Sequence, residues 1–470
     1  SPEKKRNKTK TQWRQWLACI SAATLSMVAV GTVYGWVTTS LSRLTSENSG
    51  MPFKITNDEG SWIVSLTVIG SMTGPFLGAC LADRFGPKRC LLISSGFFIV
   101  GWLLVLLANT VSVLYVARVI LGIGVGISYT TNPMYVSEVA DINIRGALGT
   151  LIAVNVFTGS LMTCSIGPWV SYKILATILL VIPVLFIASF IWFPESPHFL
   201  AVRGRKTEAS QSIAFFKGIR DPNESNTSQN IEIITYTWLA KLRFLLLPNN
   251  MKALCIVVSL IAAQQLSGNF STIQYLDVLF RKAAISIDSN VATIIVLAVG
   301  LISGSLATIT VEVAGRRSLL MISTFGSFLT LAILAIYFML DIKSIDVSMI
   351  NFLPVIDVIF FQIAFQIGLG VLPNALIGEL FPTEVKSVAG AIVTIFDGIL
   401  GFIVSKLYQV IGDSFGSHTV YYFFSASCLL AFFNVMVFVP ETKGKTYREI
   451  QALLAGKELN SSNERVKNDD

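Results

Sequence analysis

Asp83-Arg84-Phe85-Gly86-Pro87-Lys88-Arg89 ends one apolar run and begins the next, and Glu312-Val313-Ala314-Gly315-Arg316-Arg317 does the same about half a chain later. A second pair follows the same spacing: Pro194-Glu195-Ser196-Pro197 is echoed by Pro440-Glu441-Thr442-Lys443-Gly444. A looser third pair joins Glu138…Arg145 with Glu379…Lys386. Charged loops that recur as a set between hydrophobic runs imply a membrane protein of two related halves, an architecture common among transporters.

Composition agrees. Of 470 residues, 53% are hydrophobic and only 13% charged, against about 25% charged in a soluble domain. Mean hydropathy is +0.67. Runs such as Leu91–Ala108 are long enough to cross an apolar layer of about 30 Å. This excludes a soluble protein with buried helices. The net charge of +7 is spread over short basic clusters beside apolar runs, without the aromatic-basic pattern of a nucleic-acid groove. The six cysteines (Cys19, Cys80, Cys90, Cys164, Cys255, Cys428) fall in or beside apolar runs and form no C-x-x-C. No disulfide, metal site or cofactor is expected. The polar segment 1–15 precedes a long first span, which predicts an uncleaved anchor.

Apolar runs predict twelve helices, near 17–41, 61–82, 90–109, 113–136, 146–168, 172–193, 251–280, 289–313, 318–341, 350–378, 388–411 and 419–440. The expected fold class is therefore an all-α membrane protein with two pseudo-symmetric six-helix bundles. Most of the 35 Lys and Arg residues lie on one side when both termini are placed in the cytosol, as the positive-inside bias requires. The expected domains are a cytosolic segment 1–16, a bundle 17–193, a cytosolic connector 194–250, a bundle 251–440 and a cytosolic tail 441–470. Apolar periodicity at Ile213–Phe216 and Ile231–Leu247 predicts short surface helices in the connector. The N-x-S/T triplets at Asn7, Asn223, Asn226 and Asn460 fall in inner segments and that at Asn269 inside a span, so no N-glycan is expected.

These stretches, taken in order, resemble the sugar porters of the major facilitator superfamily. The likeness is carried by Asp83-Arg84-x-Gly86, Arg118-x-x-x-Gly122-x-Gly124-x-Gly126, Pro133-Met134-Tyr135-Val136-Ser137-Glu138-Val139 and Arg145-Gly146-Ala147-Leu148-Gly149. Pro194-Glu195-Ser196-Pro197, Gln264-Gln265-Leu266-Ser267-Gly268 and Pro440-Glu441-Thr442-Lys443-Gly444 complete it. Thr32-Val33-Tyr34-Gly35-Trp36 and a short first outer loop are similar to the insect trehalose-transporter subgroup. The resemblance implies the major facilitator fold, a lipid-embedded carrier of a small solute, and a plasma-membrane location. Oligomeric state is left open.

Asp83, Arg84, Glu138, Arg145, Glu195, Arg316, Arg317, Glu379, Lys386 and Glu441 all lie at predicted helix ends. They read as a latch in which acids of one loop pair with bases of another while the gate is shut. Topology alone explains the bases but not the acids beside them. Exposed pairs are worth only about 0–1 kcal/mol each, which suits an equilibrium between two states. Pro87, Lys386 and His198 depart from the residues usual in the family, a basic residue for the first and Arg for the other two.

Sugars are held by amides and hydroxyls, with an aromatic ring against their apolar faces. Gln264 and Gln265 fit, since adjacent mid-span amides are costly against lipid; interhelical hydrogen bonding is the competing role. Around them the family pattern is altered. Asn269 precedes Phe270 where an apolar residue and then Asn are usual. Ala153 and Gly300 stand for a usual Gln and Asn, Gln366 for Glu, Asn374 for Trp, and Asp397-Gly398 for Asn-Trp. Gly368-Leu369-Gly370-Val371 replaces Gly-Pro-Gly-Pro. The loss of two Trp rings predicts a larger cavity without its stacking platform. The candidate substrate residues are Gln264, Gln265, Asn269, Gln366, Asn374 and Asp397.

Asp397, mid-span, could accept from a sugar, bind a cationic solute or carry a proton. Helix 1 has no acid between Trp16 and Ser42, where proton-coupled members usually place Asp. The reading is a facilitative carrier of a hexose or trehalose-like disaccharide by alternating access. A carrier of another solute or a proton symporter using Asp397, and a non-transporting sugar sensor, are the alternatives. An enzyme is disfavoured: no nucleophile–base set is present, and the two histidines, His198 and His418, sit near span ends. A channel is disfavoured because no span carries a filter or charge ring.

Overall fold

The computed structural model describes residues 24–45, 55–139, 142–217, 243–343 and 350–454, apart from Ala284, Ser286, Gly444 and Thr446. The first half holds α1 (24–44), α2 (Asn57–Phe85), α3 (Pro87–Leu106), α4 (Val111–Val139), α5 (Ile142–Ile166) and α6 (Tyr172–Phe190). Two short helices follow, α7 (Pro197–Val202) and α8 (Lys206–Lys217). The second half holds α9 (Pro248–Leu266), α10 (Asn269–Gln274), α11 (Leu276–Lys282), α12 (Ser289–Ala314) and α13 (Arg316–Ile342). It closes with α14 (Leu353–Ile367), α15 (Leu372–Leu380), α16 (Thr383–Phe415), α17 (Ser417–Phe438) and α18 (Tyr447–Leu454).

Ten stretches among the described residues are long and apolar enough to cross a membrane. Together with α1 and α5 they make the twelve spans of the major facilitator fold. Short helices do occupy the start of the connector, as α7 and α8. Its remainder at 218–242, the segment 1–16, the tail beyond 454 and the triplets at Asn7, Asn223, Asn226 and Asn460 lie outside the described residues, as do the side chains of Arg145 and Lys386. Asn269 is buried at the start of α10. Cys80, Cys90, Cys164, Cys255 and Cys428 are free thiols.

The first half is held by close backbone packing. A Cβ on Gly70 of α2 would lie 2.2 Å from the Val119 carbonyl oxygen of α4, and one on Gly74 would lie 2.6 Å from Gly126 Cα. Only small residues permit this approach, which substitutes for a hydrophobic drive that lipid does not provide. Outward positions such as Leu107, Trp192, Leu430 and Val437 are left exposed, as a lipid-facing surface requires.

At the face opposite the duplicated loops, α2 and α12 are capped locally. Thr56 Oγ1 accepts from Glu59 N–H at 3.2 Å while Glu59 accepts from Thr56 N–H at 2.8 Å, a capping box for α2. Asp288 accepts from Asn290 N–H at 2.8 Å and opens α12. At the duplicated loops, α3 and α13 have no local side-chain cap. Each starts after a glycine of positive φ, Gly86 at 96° and Gly315 at 86°. A distant glutamate supplies the missing acceptor, Glu195 for α3 and Glu441 for α13.

Two spans are broken. The seventh turns at Gly268, with φ 70°, between α9 and α10. The tenth breaks at Gly368 between α14 and α15, where Ser323 Oγ accepts from Leu369 N–H at 3.0 Å and donates to the Phe365 carbonyl at 3.3 Å. Irregular backbone at this depth needs such partners or a cavity. The halves meet where α2 packs on α16 and α5 on α12.

A Cβ at Gly86 would fall 2.6 Å from the Glu195 carboxyl, and one at Gly315 would fall 2.8 Å from Glu441 Oε2. Gly86→Ala and Gly315→Ala each combine that clash with a strained φ. Each should cost about 1–3 kcal/mol, read as a lower thermal midpoint of the purified protein; unchanged midpoints would refute the seating.

Candidate functional site

The broken spans border a cavity of about 640 Å³ between the halves. Its amide-bearing wall residues are Gln264 and Gln265 on α9, Asn269 and Gln274 on α10, and Gln366 on α14. Asn269 Oδ1 and Gln274 Oε1 are buried without a hydrogen-bond partner in the structure. Tyr34 and Phe270 meet edge to face across the two halves, with centroids 5.7 Å apart. Tyr129, Phe157 and Phe365 add further rings to the wall. Unpaired amides beside aromatic faces can take a polyhydroxylated solute, since amides both donate and accept while rings cover C–H faces.

The candidate residues are only partly gathered here. Gln264, Gln265, Asn269 and Gln366 line the cavity. Asp397 stands behind it, accepting from Gln265 Nε2 at 2.6 Å. That bond fixes the amide orientation of Gln265. Asn374 is exposed on α15 and is not part of the wall, which its neighbour Ala375 joins.

The gaps expected from small residues are filled by neighbours. A Cβ on Gly398 would lie 2.2 Å from Met72 Cγ, so α2 of the other half occupies the space of the missing ring. A Cβ on Gly300 would lie 2.9 Å from Gln362 Nε2. Gln362 is 1% exposed, and that nitrogen has no partner in the structure. The expected enlargement at Gly398 is therefore corrected: the space is taken up by Met72. A stacking surface is also present, on Tyr34, Tyr129, Phe157 and Phe270. Gln362 and these rings were missed because their partners lie on distant helices; only the Gln362/Gln366 spacing of one helical turn hinted at a shared face.

Arg118 is buried on α4, with 1% exposure. Its Nε donates to the Ile63 carbonyl and its NH1 to the Val33 carbonyl, both at 3.1 Å, and its guanidinium carbon lies 5.3 Å from the Trp36 ring centroid. Its described partners are thus fixed dipoles and a π-face, not a titrating acid.

The duplicated loops form one cluster in each half. In the second, Arg316 N–H and Arg317 N–H donate to Glu441 at 2.9 and 3.1 Å. The Arg316 guanidinium pairs with Glu379 at 2.9 Å, and Thr442 Oγ1 donates to Glu379 at 2.6 Å. In the first, Pro87 stands where Arg316 stands after the glycine. Proline has no N–H, so Glu195 accepts one residue further on, from Lys88 N–H at 2.8 Å and Arg89 N–H at 3.4 Å. Nor does Pro87 supply a guanidinium. Glu138 is bonded instead by the Ser196 hydroxyl, with His198 Nδ1 3.8 Å away. Burial pushes the Glu138 carboxyl above its usual range, partly offset by Ser196 and His198. Asp83 and Arg84 are exposed; the Asp83 carbonyl accepts from Arg203 at 2.5 Å, and Arg84 lies over Phe85.

Two six-helix membrane bundles enclosing an amide-lined cavity make up the major facilitator fold. A family model described as "Sugar (and other) transporter" matches residues 17–454. The chain is 31% identical over 450 residues to a facilitated trehalose transporter of Polypedilum vanderplanki, covering 95% of this chain and 89% of that protein. It is 30% identical over 453 residues to that of Drosophila erecta, spanning 95% of this chain but only 52% of the relative. The xylose transporter XylE from E. coli, in a partially occluded inward open conformation, superposes with a TM-score of 0.73 at 23% identity, over 91% of this chain and 99% of that one. The chain belongs to the sugar (and other) transporter family.

Partial burial disfavours the Glu441 carboxylate, but backbone N–H groups of Lys443, Arg316, Arg317 and Thr442 outweigh it and hold the group below its usual value. A depressed acid stabilises the fold above its unfolded value, and the gain is lost as pH falls through the folded one. Glu441→Gln should therefore cost about 1–2 kcal/mol at pH 7 and little in acid. An unfolding-midpoint difference independent of pH would refute this.

Proposed function

We propose that this chain is a facilitative carrier of a neutral sugar, a hexose or a trehalose-like disaccharide, that works by alternating access of its two bundles. The observation that carries this reading is the amide cluster of Gln264, Gln265, Asn269, Gln274 and Gln366 around a cavity with aromatic walls. The names of the insect relatives support the same solute class. Gln264, Gln265, Asn269 and Gln366 bind the solute directly, and Asp397 orients Gln265. Arg118 favours uniport, since its described partners carry no exchangeable proton.

The basic loops support a cytosolic side for the duplicated clusters and both termini, and the proposed location of the carrier is the plasma membrane. There the clusters act as the latch: Arg316 with Glu379, and Glu138 with its neighbours, hold each half rigid. Arg145 and Lys386 supply the bases that engage when the cytosolic gate shuts. The domain limits follow: bundles 17–193 and 251–440, flanked by the cytosolic segments 1–16, 194–250 and 441–470.

Radiolabelled uptake into vesicles tests this, with glucose, fructose, trehalose, polyols and organic cations, with and without a pH gradient. Sugar flux insensitive to pH is expected. Gln265→Leu should raise KM about tenfold, the effect of losing one good hydrogen bond. Cation flux abolished by Asp397→Asn, or sugar binding without flux, would replace the reading. Glu138→Gln and Arg145→Ala should both slow transport and shift the balance of the two states; unchanged rates and populations would remove the latch.

A further inference from the structure

Lys406 has a setting that the cavity and the duplicated clusters do not explain. It lies on α16, beyond Asp397, with its ammonium 2.6 Å from Asp58 Oδ1 and 2.7 Å from Ser61 Oγ. Both partners belong to the first turns of α2, in the other half. The ammonium also lies 4.4 Å from the Trp62 ring centroid, and Trp62 itself packs on Phe402, one turn back on α16, at 6.3 Å. Every described partner of this cation is therefore across the interface. The acids of its own helix with described side chains are otherwise engaged: Asp397 by Gln265, and Asp413 by Gln409 at 2.7 Å and Lys282 at 3.7 Å.

The location gives this contact its meaning. The start of α2 lies at the face opposite the duplicated loops. Two further hydrogen bonds between the halves lie toward that face: Thr38 Oγ1 to the Ile273 carbonyl at 3.2 Å, and the Ser42 hydroxyl to Asp277. They tie α1 to the α10–α11 segment, while Lys406 ties α16 to α2. Cavity wall residues such as Tyr129, Gly304, Ser305 and Ala375 lie on the loop-side portions of their helices. The structure is closed at the opposite face.

We propose that Lys406 is a gate residue for that face. Its charge is compensated while α2 and α16 touch, and it loses Asp58, Ser61 and the Trp62 ring together when they part. The Lys406 side chain is 18% exposed and that of Asp58 69%. A pair with one solvated end is weak, and a cation over an indole adds modestly. A weak clasp suits a contact that breaks in every cycle. The proposal rests on the two-bundle carrier reading but not on the identity of the solute.

The test uses the full chain in whole cells, with Cys80 and Cys255 changed to Ser and a reporter Ile273→Cys in the cavity wall. A membrane-impermeant maleimide is added outside. A second reporter, Lys206→Cys at the exposed start of α8, marks the loop face and must stay unlabelled in intact cells; its labelling would overturn the assignment of Lys406 to the outer gate. Lys406→Met and Asp58→Asn should each raise reporter labelling about three- to tenfold, by populating the state open at that face. The double exchange Asp58→Lys with Lys406→Asp should bring labelling back toward the parent rate. Asp58 is exposed, so Asp58→Asn keeps the test valid even if Lys406→Met folds poorly. Unchanged labelling in Asp58→Asn, or a double exchange that labels like the single variants, overturns the proposal. Uptake of glucose and trehalose is measured alongside. Absent flux with responsive labelling would overturn the sugar reading and support the gate.

Discussion

A carboxylate seated on the first N–H groups of a membrane helix is the interaction on which both halves depend. The starts of α3 and α13 leave unpaired N–H groups and a partial positive charge where the chain leaves the apolar layer. Glu195 and Glu441 arrive from the ends of the sixth and twelfth spans and satisfy them. Each seat therefore ties the last span of a bundle to its third, and glycines of positive φ make room for it.

The two seats are not equal, and the difference traces to one residue. Pro87 removes an N–H and a guanidinium that Arg316 provides in the second half. The first cluster consequently leans on Ser196 and His198 to engage Glu138, whose charge is less well supported. The second cluster has the Arg316–Glu379 pair and a well-stabilised Glu441. A duplicated device has become a firm copy and a looser one, and rocking motions of the halves would begin from unequal loop-face restraints.

Between the rigid halves lies everything that changes. The cavity amides sit beside helix breaks at Gly268 and Gly368, where the backbone is already irregular. The interface at the far face joins apolar packing, where Tyr275, Val278 and Tyr408 meet the core of the first half, to a few hydrogen bonds and one clasped cation.

Twelve spans, two halves, the loop pairs and the mid-span glutamines were legible in the sequence because each is a local property: run length, charge at run ends, an amide in an apolar stretch. Asp397 was legible as costly but not as the anchor of Gln265. Gly300 and Gly398 read as empty space, yet Gln362 and Met72 fill it from other helices. Lys406 falls inside a predicted span, and nothing along the chain reveals that its partners stand on α2. Hydropathy and spacing along one chain determined what crosses the membrane and which ends are charged. Only tertiary structure decided who meets whom across the cavity, because those contacts join segments hundreds of residues apart and depend on side-chain volume and direction rather than on any period in the sequence.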